Sequence, residues 1–167
     1  MSVATAVSVA EYLNTTYRPD CDYLEGELLE RNVGELDHSR LQTLISVWLG
    51  NREKQSGIFV LTEMRVQVKS RRFRVPDVLA VKGGRPATRI LTEPPFLCIE
   101  ILSPEDSFAE MQERIDDYLA FGVRYVWVIN PKNRKAFIYS ANSIHEAKDG
   151  VLTTTDPDIR LNLAELE

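Results

Sequence analysis

Apolar and polar residues follow two periods along this chain, and the switches between them mark the elements. Across residues 37–54, Leu41, Leu44, Ile45 and Trp48 recur at three- and four-residue intervals. That spacing predicts an amphipathic helix with Asp37 as its N-cap. Residues 58–68 change to a two-residue period and predict a strand, with Arg65, Gln67 and Lys69 alternating against Val66 and Val68. Two unbroken apolar runs follow, Val75-Pro76-Asp77-Val78-Leu79-Ala80-Val81 and Phe96-Leu97-Cys98-Ile99-Glu100-Ile101-Leu102. Runs this rich in valine, leucine and isoleucine read as strands covered on both faces. Phe108, Met111, Ile115, Tyr118 and Leu119 return to helical spacing; Ser103 to Asp106 predicts the start of that helix and Gly122 its end. Residues 124–130 form a further buried strand, paired with residues 135–140. Upstream, the pattern gives a short helix over residues 9–14 and a hairpin or bend over residues 22–29, with Gly26 supplying the permissive backbone. The order implies an α/β fold, a mixed central sheet flanked by helices, with residues 96–130 as a parallel, right-handed crossover. A single domain is expected over residues 1–167, its core spanning about 22–140.

The two apolar runs carry one anomaly each. Asp77 and Glu100 are carboxylates inside strands that otherwise read as buried. Taking an ionised carboxylate out of water costs several kcal/mol unless a cation or hydrogen bonds compensate. Two such groups on one sheet suggest a divalent-cation site; the bland alternative is a buried ion pair with Arg74 or Arg114.

Composition narrows the partners. With 20 basic and 25 acidic residues the formal charge is −5, which argues against a protein that coats nucleic acid nonspecifically. A local basic run, Arg65, Lys69, Arg71, Arg72 and Arg74, contains no acid from Met64 to Pro76. It reads either as a phosphate-tracking surface or as a solvated edge strand. Cys21 and Cys98 lack metal-ligand spacing, and Cys98 reads as a small buried hydrophobe. No apolar stretch nears the roughly 20 residues that span a bilayer, and the N-terminus lacks the pattern of a signal peptide, so a cytoplasmic location is expected.

Three motifs in order and at characteristic spacing resemble a known family. They are Arg74-Val75-Pro76-Asp77-Val78, Ile99-Glu100-Ile101-Leu102-Ser103-Pro104, and Tyr118 followed by the run from Phe121 to Pro131 that contains Gly122-Val123-Arg124-Tyr125-Val126-Trp127. The chain is similar here to the Uma-type family of putative restriction endonucleases, within the PD-(D/E)XK nuclease superfamily. The resemblance implies a restriction-endonuclease-like fold and metal-dependent phosphodiester hydrolysis. It makes Asp77, Glu100 and the backbone carbonyl of Ile101 ligands of Mg²⁺ or Mn²⁺.

One position departs from the pattern. Leu102 stands where the superfamily motif has lysine; in Uma-type proteins a lysine on the following helix takes over, and the matching residue is Arg114. Arginine keeps the charge and the phosphate contact but does not accept protons, because its pKa lies above about 12. The family's acidic position four residues earlier is Glu110, so a plain helix ion pair is the bland reading of Arg114. His38 resembles a family histidine that would position water or phosphate, and Glu63 is a candidate further carboxylate at the cleft. Glu25 and Glu27 read as solvated hairpin charges and His145 as incidental.

The resulting expectation is a DNA endonuclease using Asp77, Glu100 and Arg114, with a homodimer left open. The alternative is a nuclease-fold module that binds nucleic acid or protein without cutting. A glycosidase using two carboxylates is disfavoured, because these strands show no aromatic platform for a sugar.

Overall fold

The computed structural model describes residues 6–31 and 34–166. A short helix α1 (Val9–Asn14) leads into a hairpin of β1 (Cys21–Leu24) and β2 (Glu27–Glu30). Helix α2 (Leu36–Gly50) and a single turn α3 (Glu53–Ser56) precede β3 (Ile58–Thr62), β4 (Val66–Lys69), β5 (Arg72–Arg74) and β6 (Val78–Lys82). Next come β7 (Leu97–Ile101), helix α4 (Phe108–Phe121), β8 (Tyr125–Ile129) and β9 (Ala136–Ser140). The chain finishes with β10 (Ser143–Glu146), β11 (Val151–Thr154), β12 (Ile159–Asn162) and a 3₁₀ turn, Leu163–Glu165.

The large sheet has the order β10-β9-β8-β7-β6-β3 and is antiparallel except for the β7–β8 pair. That parallel pair is the one joined through α4, as a strand–helix–strand crossover requires. A smaller sheet has the order β2-β1-β5-β4, and β11 pairs with β12 in a two-stranded sheet.

Strand alternation sends side chains to two cores. Val78, Ala80, Leu97, Ile99, Ile101 and Trp127 pack with Leu41, Ile45 and Leu49 of α2 and with Leu152, Ile159 and Leu161 of the C-terminal hairpin. Leu79, Cys98, Val126 and Val128 point the other way, against Met111, Ile115 and Tyr118 of α4 and Val66 and Val68 of β4. A third cluster, Tyr12, Cys21, Tyr23 and Phe73, fixes α1 to the small sheet. The period of two then assigns Glu100 to the α4 face, with Cys98, and likewise Asp77, next to Val78. Packing also extends beyond residue 140, because Leu163 and Leu166 are buried in the first core.

Four expected boundaries move, each for a local reason. The strand expected over residues 58–68 breaks at Glu63, whose φ of 51° turns the chain out of the large sheet and into the small one. Its N–H lies 3.2 Å from the Pro76 carbonyl oxygen and 3.3 Å from that of Asp77, which holds the kink beside the Asp77 segment. Helix α4 starts at Phe108, not near Ser103. Ser107 accepts the Glu110 N–H at 3.2 Å while the Glu110 carboxylate takes the Ser107 N–H at 3.3 Å, a reciprocal capping box. Phe108, expected in the buried stripe, is therefore 84% exposed. Helix α2 begins one residue before Asp37, so Asp37 lies in the first turn and does not cap it. Lastly, residues 72–74 form a strand of their own after the turn at residues 70–71.

Glycine is required at two turns. At Gly26 φ is 111°, and a Cβ would lie 3.0 Å from Ala6 Cβ; at Gly122 φ is again 111°, and a Cβ would meet Pro94 Cγ at 3.2 Å. Among the described residues no helix is long and apolar enough to cross a membrane.

Candidate active site

Asp77 lies immediately before β6, and Val78 pairs with Ile99 in the antiparallel β6–β7 ladder, so Asp77 and Glu100 come out side by side. Pro76 has no N–H to offer a ladder, which suits the point where pairing begins. The Asp77 backbone is fastened by Gln42 Nε2, which donates to its carbonyl at 3.0 Å. Its carboxylate accepts the Ile101 N–H at 2.7 Å on Oδ2, lies 3.3 Å from His38 Nε2, and is gripped on Oδ1 by Arg31 Nη2. Burial works against this charge, but the His38 hydrogen bond and the Arg31 guanidinium outweigh it and hold Asp77 below the usual carboxylate range. The same contact raises His38 above the ordinary imidazole value despite desolvation.

Glu100 has fewer partners. The Tyr118 hydroxyl donates to Oε1 at 2.6 Å, and Arg114 Nη1 lies 4.0 Å from Oε2. Burial, followed by the charge of Asp77, pushes Glu100 up to about 7 against the opposing pull of Arg114, Arg31 and Tyr118. Arg114 and Tyr118 sit one turn apart on α4, so one helix face delivers both. The helix ion pair with Glu110, the bland alternative for Arg114, gives way to other partners. Glu110 closes the cap on Ser107, while Arg114 turns inward between Asp22 at 3.5 Å, Asp106 at 3.7 Å and Glu100. Burial opposes the Arg114 charge, yet the surrounding carboxylates raise its pKa further above the ordinary arginine value.

Arg31, His38, Asp77, Glu100, Ile101, Ser103, Asp106 and Arg114 enclose a cavity of about 20 Å³, room for about one water-sized occupant. Glu63 stands at its margin, half-exposed, 3.7 Å from Arg31 Nη1 and 3.2 Å from Gln42 Nε2. The structure thus brings together Asp77, Glu100, Ile101, Arg114 and His38, with Glu63 beside them.

The basic run behaves differently. Arg74 is 1% exposed and bound to Asp22 at 2.8 Å and Asp117 at 2.7 Å, so it is a buried structural cation and not a phosphate contact. Arg65 is clamped by Asp20 at 2.8 and 2.7 Å, and Arg72 by Glu25, Glu113 and Asp117. These acids come from elsewhere in the chain, which is why a stretch without local acids looked uncompensated; buried cations survive only with such partners. Lys69 and Arg71 remain exposed. Glu25 is occupied by Arg72, whose hydrogen bond holds its carboxyl below the usual range.

A family model described as "Putative restriction endonuclease", Uma2, matches residues 9–164. The chain belongs to the Uma2 family. It also shares its fold with the crystal structure of a "putative nuclease belonging to DUF820" from Anabaena variabilis ATCC 29413. The TM-score is 0.81 at 21% identity, covering 96% of this chain and 97% of that one. No curated protein matches the sequence.

Two residues that contact this carboxylate pair were not legible beforehand. Arg31 sits just beyond β2 with no pattern around it, and only the fold carries it to Asp77. Tyr118 read as part of an apolar stripe; its four-residue offset from Arg114 was the available signal.

Toward a divalent cation, the donor set is two carboxylates and one adjacent main-chain carbonyl, all oxygen. That suits Mg²⁺ or Mn²⁺, which keep several waters and need one or two carboxylates. Among the described residues no group of three or more His, Cys, Asp or Glu side chains gathers into a metal-holding cluster. Glu100 Oε2 meets Arg114 only at 4.0 Å, whereas Asp77 Oδ1 is held by Arg31. The residues fit such an ion provided that Arg31 yields its contact with Asp77.

Proposed function

We propose that this chain is a divalent-cation-dependent endonuclease acting on the phosphodiester backbone of DNA. The observation that carries the reading is the convergence of Asp77 and Glu100, from paired ends of β6 and β7, on one small polar cavity roofed by Arg114 and Arg31. Membership of the Uma2 family supports it. Asp77, Glu100 and the Ile101 carbonyl would hold Mg²⁺ or Mn²⁺. The chemistry such an ion supplies when bound is polarisation of a phosphoryl oxygen and acidification of a coordinated water.

The chain's own residues do the rest. Asp77 is ionised at neutral pH, while Glu100 titrates near neutrality, so the site gains negative charge as pH rises through about 7. Arg114 contributes a permanent positive charge that binds a phosphate oxygen and accepts no proton. Arg31, released from Asp77, provides a second guanidinium on the same side. Tyr118 and the Ile101 N–H orient the two carboxylates by single hydrogen bonds, which fixes their spacing before any ligand arrives.

The test is conversion of supercoiled plasmid to nicked or linear DNA with Mg²⁺ or Mn²⁺. Wild type should cut, and Asp77→Asn and Glu100→Gln should each be silent. Equal nicking by all three would refer the activity to a contaminant or another site. A second reading, binding without cleavage, is favoured by Arg31 already neutralising Asp77 and by Leu102 in the lysine position. Inactivity with both metals, alongside retained DNA binding, decides for it.

A further inference from the structure

The cavity of about 20 Å³ at Asp77 and Glu100 admits a phosphate oxygen or a water, not a nucleotide, so the rest of any substrate strand must lie elsewhere. Glu63 marks the way out. It reaches Arg31 and Gln42 on the cavity side, and on its other side it lines an open trough of about 480 Å³ with Tyr17, Asp20, Met64, Arg65 and Arg89. That volume falls in the range of small-ligand sites. Met64 and Arg89 also line a neighbouring hollow with Arg85, so the trough continues along the loop between β6 and β7.

Charge separates this surface from the rest of the basic run, residues 69–74. Within the trough Asp20 is answered by the two-pronged grip of Arg65, and Glu63 by Arg31. Arg85 and Arg89 are exposed and, among the described residues, pair with no carboxylate. Arg89 donates to the Leu13 carbonyl, which fixes the guanidinium without neutralising it. On a chain with a formal charge of −5, two uncompensated arginines along one groove make a local positive track. Tyr17, half-buried and stacked on Tyr12 at a centroid distance of 5.9 Å, adds an aromatic wall of the kind that receives an unstacked base.

We infer that a single nucleic-acid strand leaves the acidic cavity past Glu63 and lies in this trough, with Arg89 and Arg85 binding consecutive stretches of its phosphate backbone. The identity of the strand rests on the nuclease reading; the trough and its free cations do not.

The experiment is fluorescence anisotropy of a labelled single-stranded oligodeoxynucleotide over a salt series, in Ca²⁺ to hold cleavage back, beside a plasmid-cleavage assay in Mn²⁺ and in Mg²⁺. Wild type and the control Arg160→Ala, an exposed residue on β12, should bind alike. Arg85→Glu combined with Arg89→Gln should weaken binding and flatten the log–log salt slope by about 0.7 for each arginine lost. If Arg89→Gln lowers the melting temperature, because Leu13 loses its donor, Arg85→Glu alone decides. An unchanged slope in the variants overturns the trough, whatever the cleavage result. Wild-type binding that depends on Arg85 and Arg89, without cleavage in Mn²⁺ or in Mg²⁺, keeps the trough and removes the nuclease reading. No binding by wild type removes the trough, and the plasmid assay then decides the nuclease reading by itself.

Discussion

The Tyr118 hydroxyl donates a hydrogen bond of 2.6 Å to the buried Glu100 carboxylate. One such bond and the more distant Arg114 leave the burial of Glu100 only partly offset, so its pKa rises to about 7. The unfolded chain releases that proton near 4.5. Between those values the native state holds more protons than the unfolded one, so stability falls as pH rises through the window. The loss from Glu100 is of order 3 kcal/mol at most. His38, raised above its ordinary value by Asp77, adds a loss of the same sign at its own higher window. Asp77 is depressed, so its contribution persists above the ordinary carboxylate range and disappears only in stronger acid. Urea unfolding below and above the Glu100 window should show the decline. Glu100→Gln should remove the lower part of it, and an unchanged slope in that variant would mean that Glu100 is ionised throughout.

Arg31 competes with any cation for Asp77. Arg31→Ala should destabilise the metal-free protein by about 3–5 kcal/mol, since it leaves a buried carboxylate short of its counterion. The same variant should show a larger rise in melting temperature on adding Mn²⁺ than wild type does. A smaller rise would show that Arg31 helps the ion bind.

Arg74 locks the small sheet to α4 by joining Asp22 of β1 to Asp117. Asp22 also accepts the Val75 N–H at 3.0 Å and stands 3.5 Å from Arg114. Arg74→Met should therefore cost about 3–5 kcal/mol in chemical denaturation. Arg71→Ala, at an exposed site, should stay within about 0.5 kcal/mol. Similar losses for both would refute the division of the basic run into buried and surface members.

Arg114 is the position where this chain departs from the lysine of the family pattern. Arg114→Lys should retain or raise Mn²⁺-dependent cleavage, and Arg114→Ala should lose it mainly in kcat. An alanine variant that cuts as well as wild type would reduce Arg114 to an internal ion-pair partner of Asp22 and Asp106.

The strands and helices were legible where burial dictates sequence. Leu97–Ile101 and Tyr125–Ile129 are covered on both faces, so nearly every position had to be apolar and Glu100 stood out. The α4 stripe was legible for the same reason from Met111 onward, whereas its start was not. Ser103 and Ser107 are both plausible caps, and only the capping box with Glu110 selects Ser107. The break at Glu63 left no mark, because a glutamate at positive φ is set by its hydrogen bonds to the Pro76 and Asp77 carbonyls across the sheet. Arg31 was illegible for the same kind of reason. Its role is fixed by the distance between two elements 46 residues apart in sequence. The C-terminal strands, which pack Leu152 and Leu161 into the main core, are too short for period alone to announce them.

The central claim is that Asp77 and Glu100 share one divalent cation. Calorimetric titration of Mn²⁺ into the metal-free protein tests it most directly, run on wild type, Asp77→Asn and Glu100→Gln at a pH above the Glu100 window. One binding event in wild type, absent from both variants, is the result expected. Binding of the same strength in all three proteins would contradict the account.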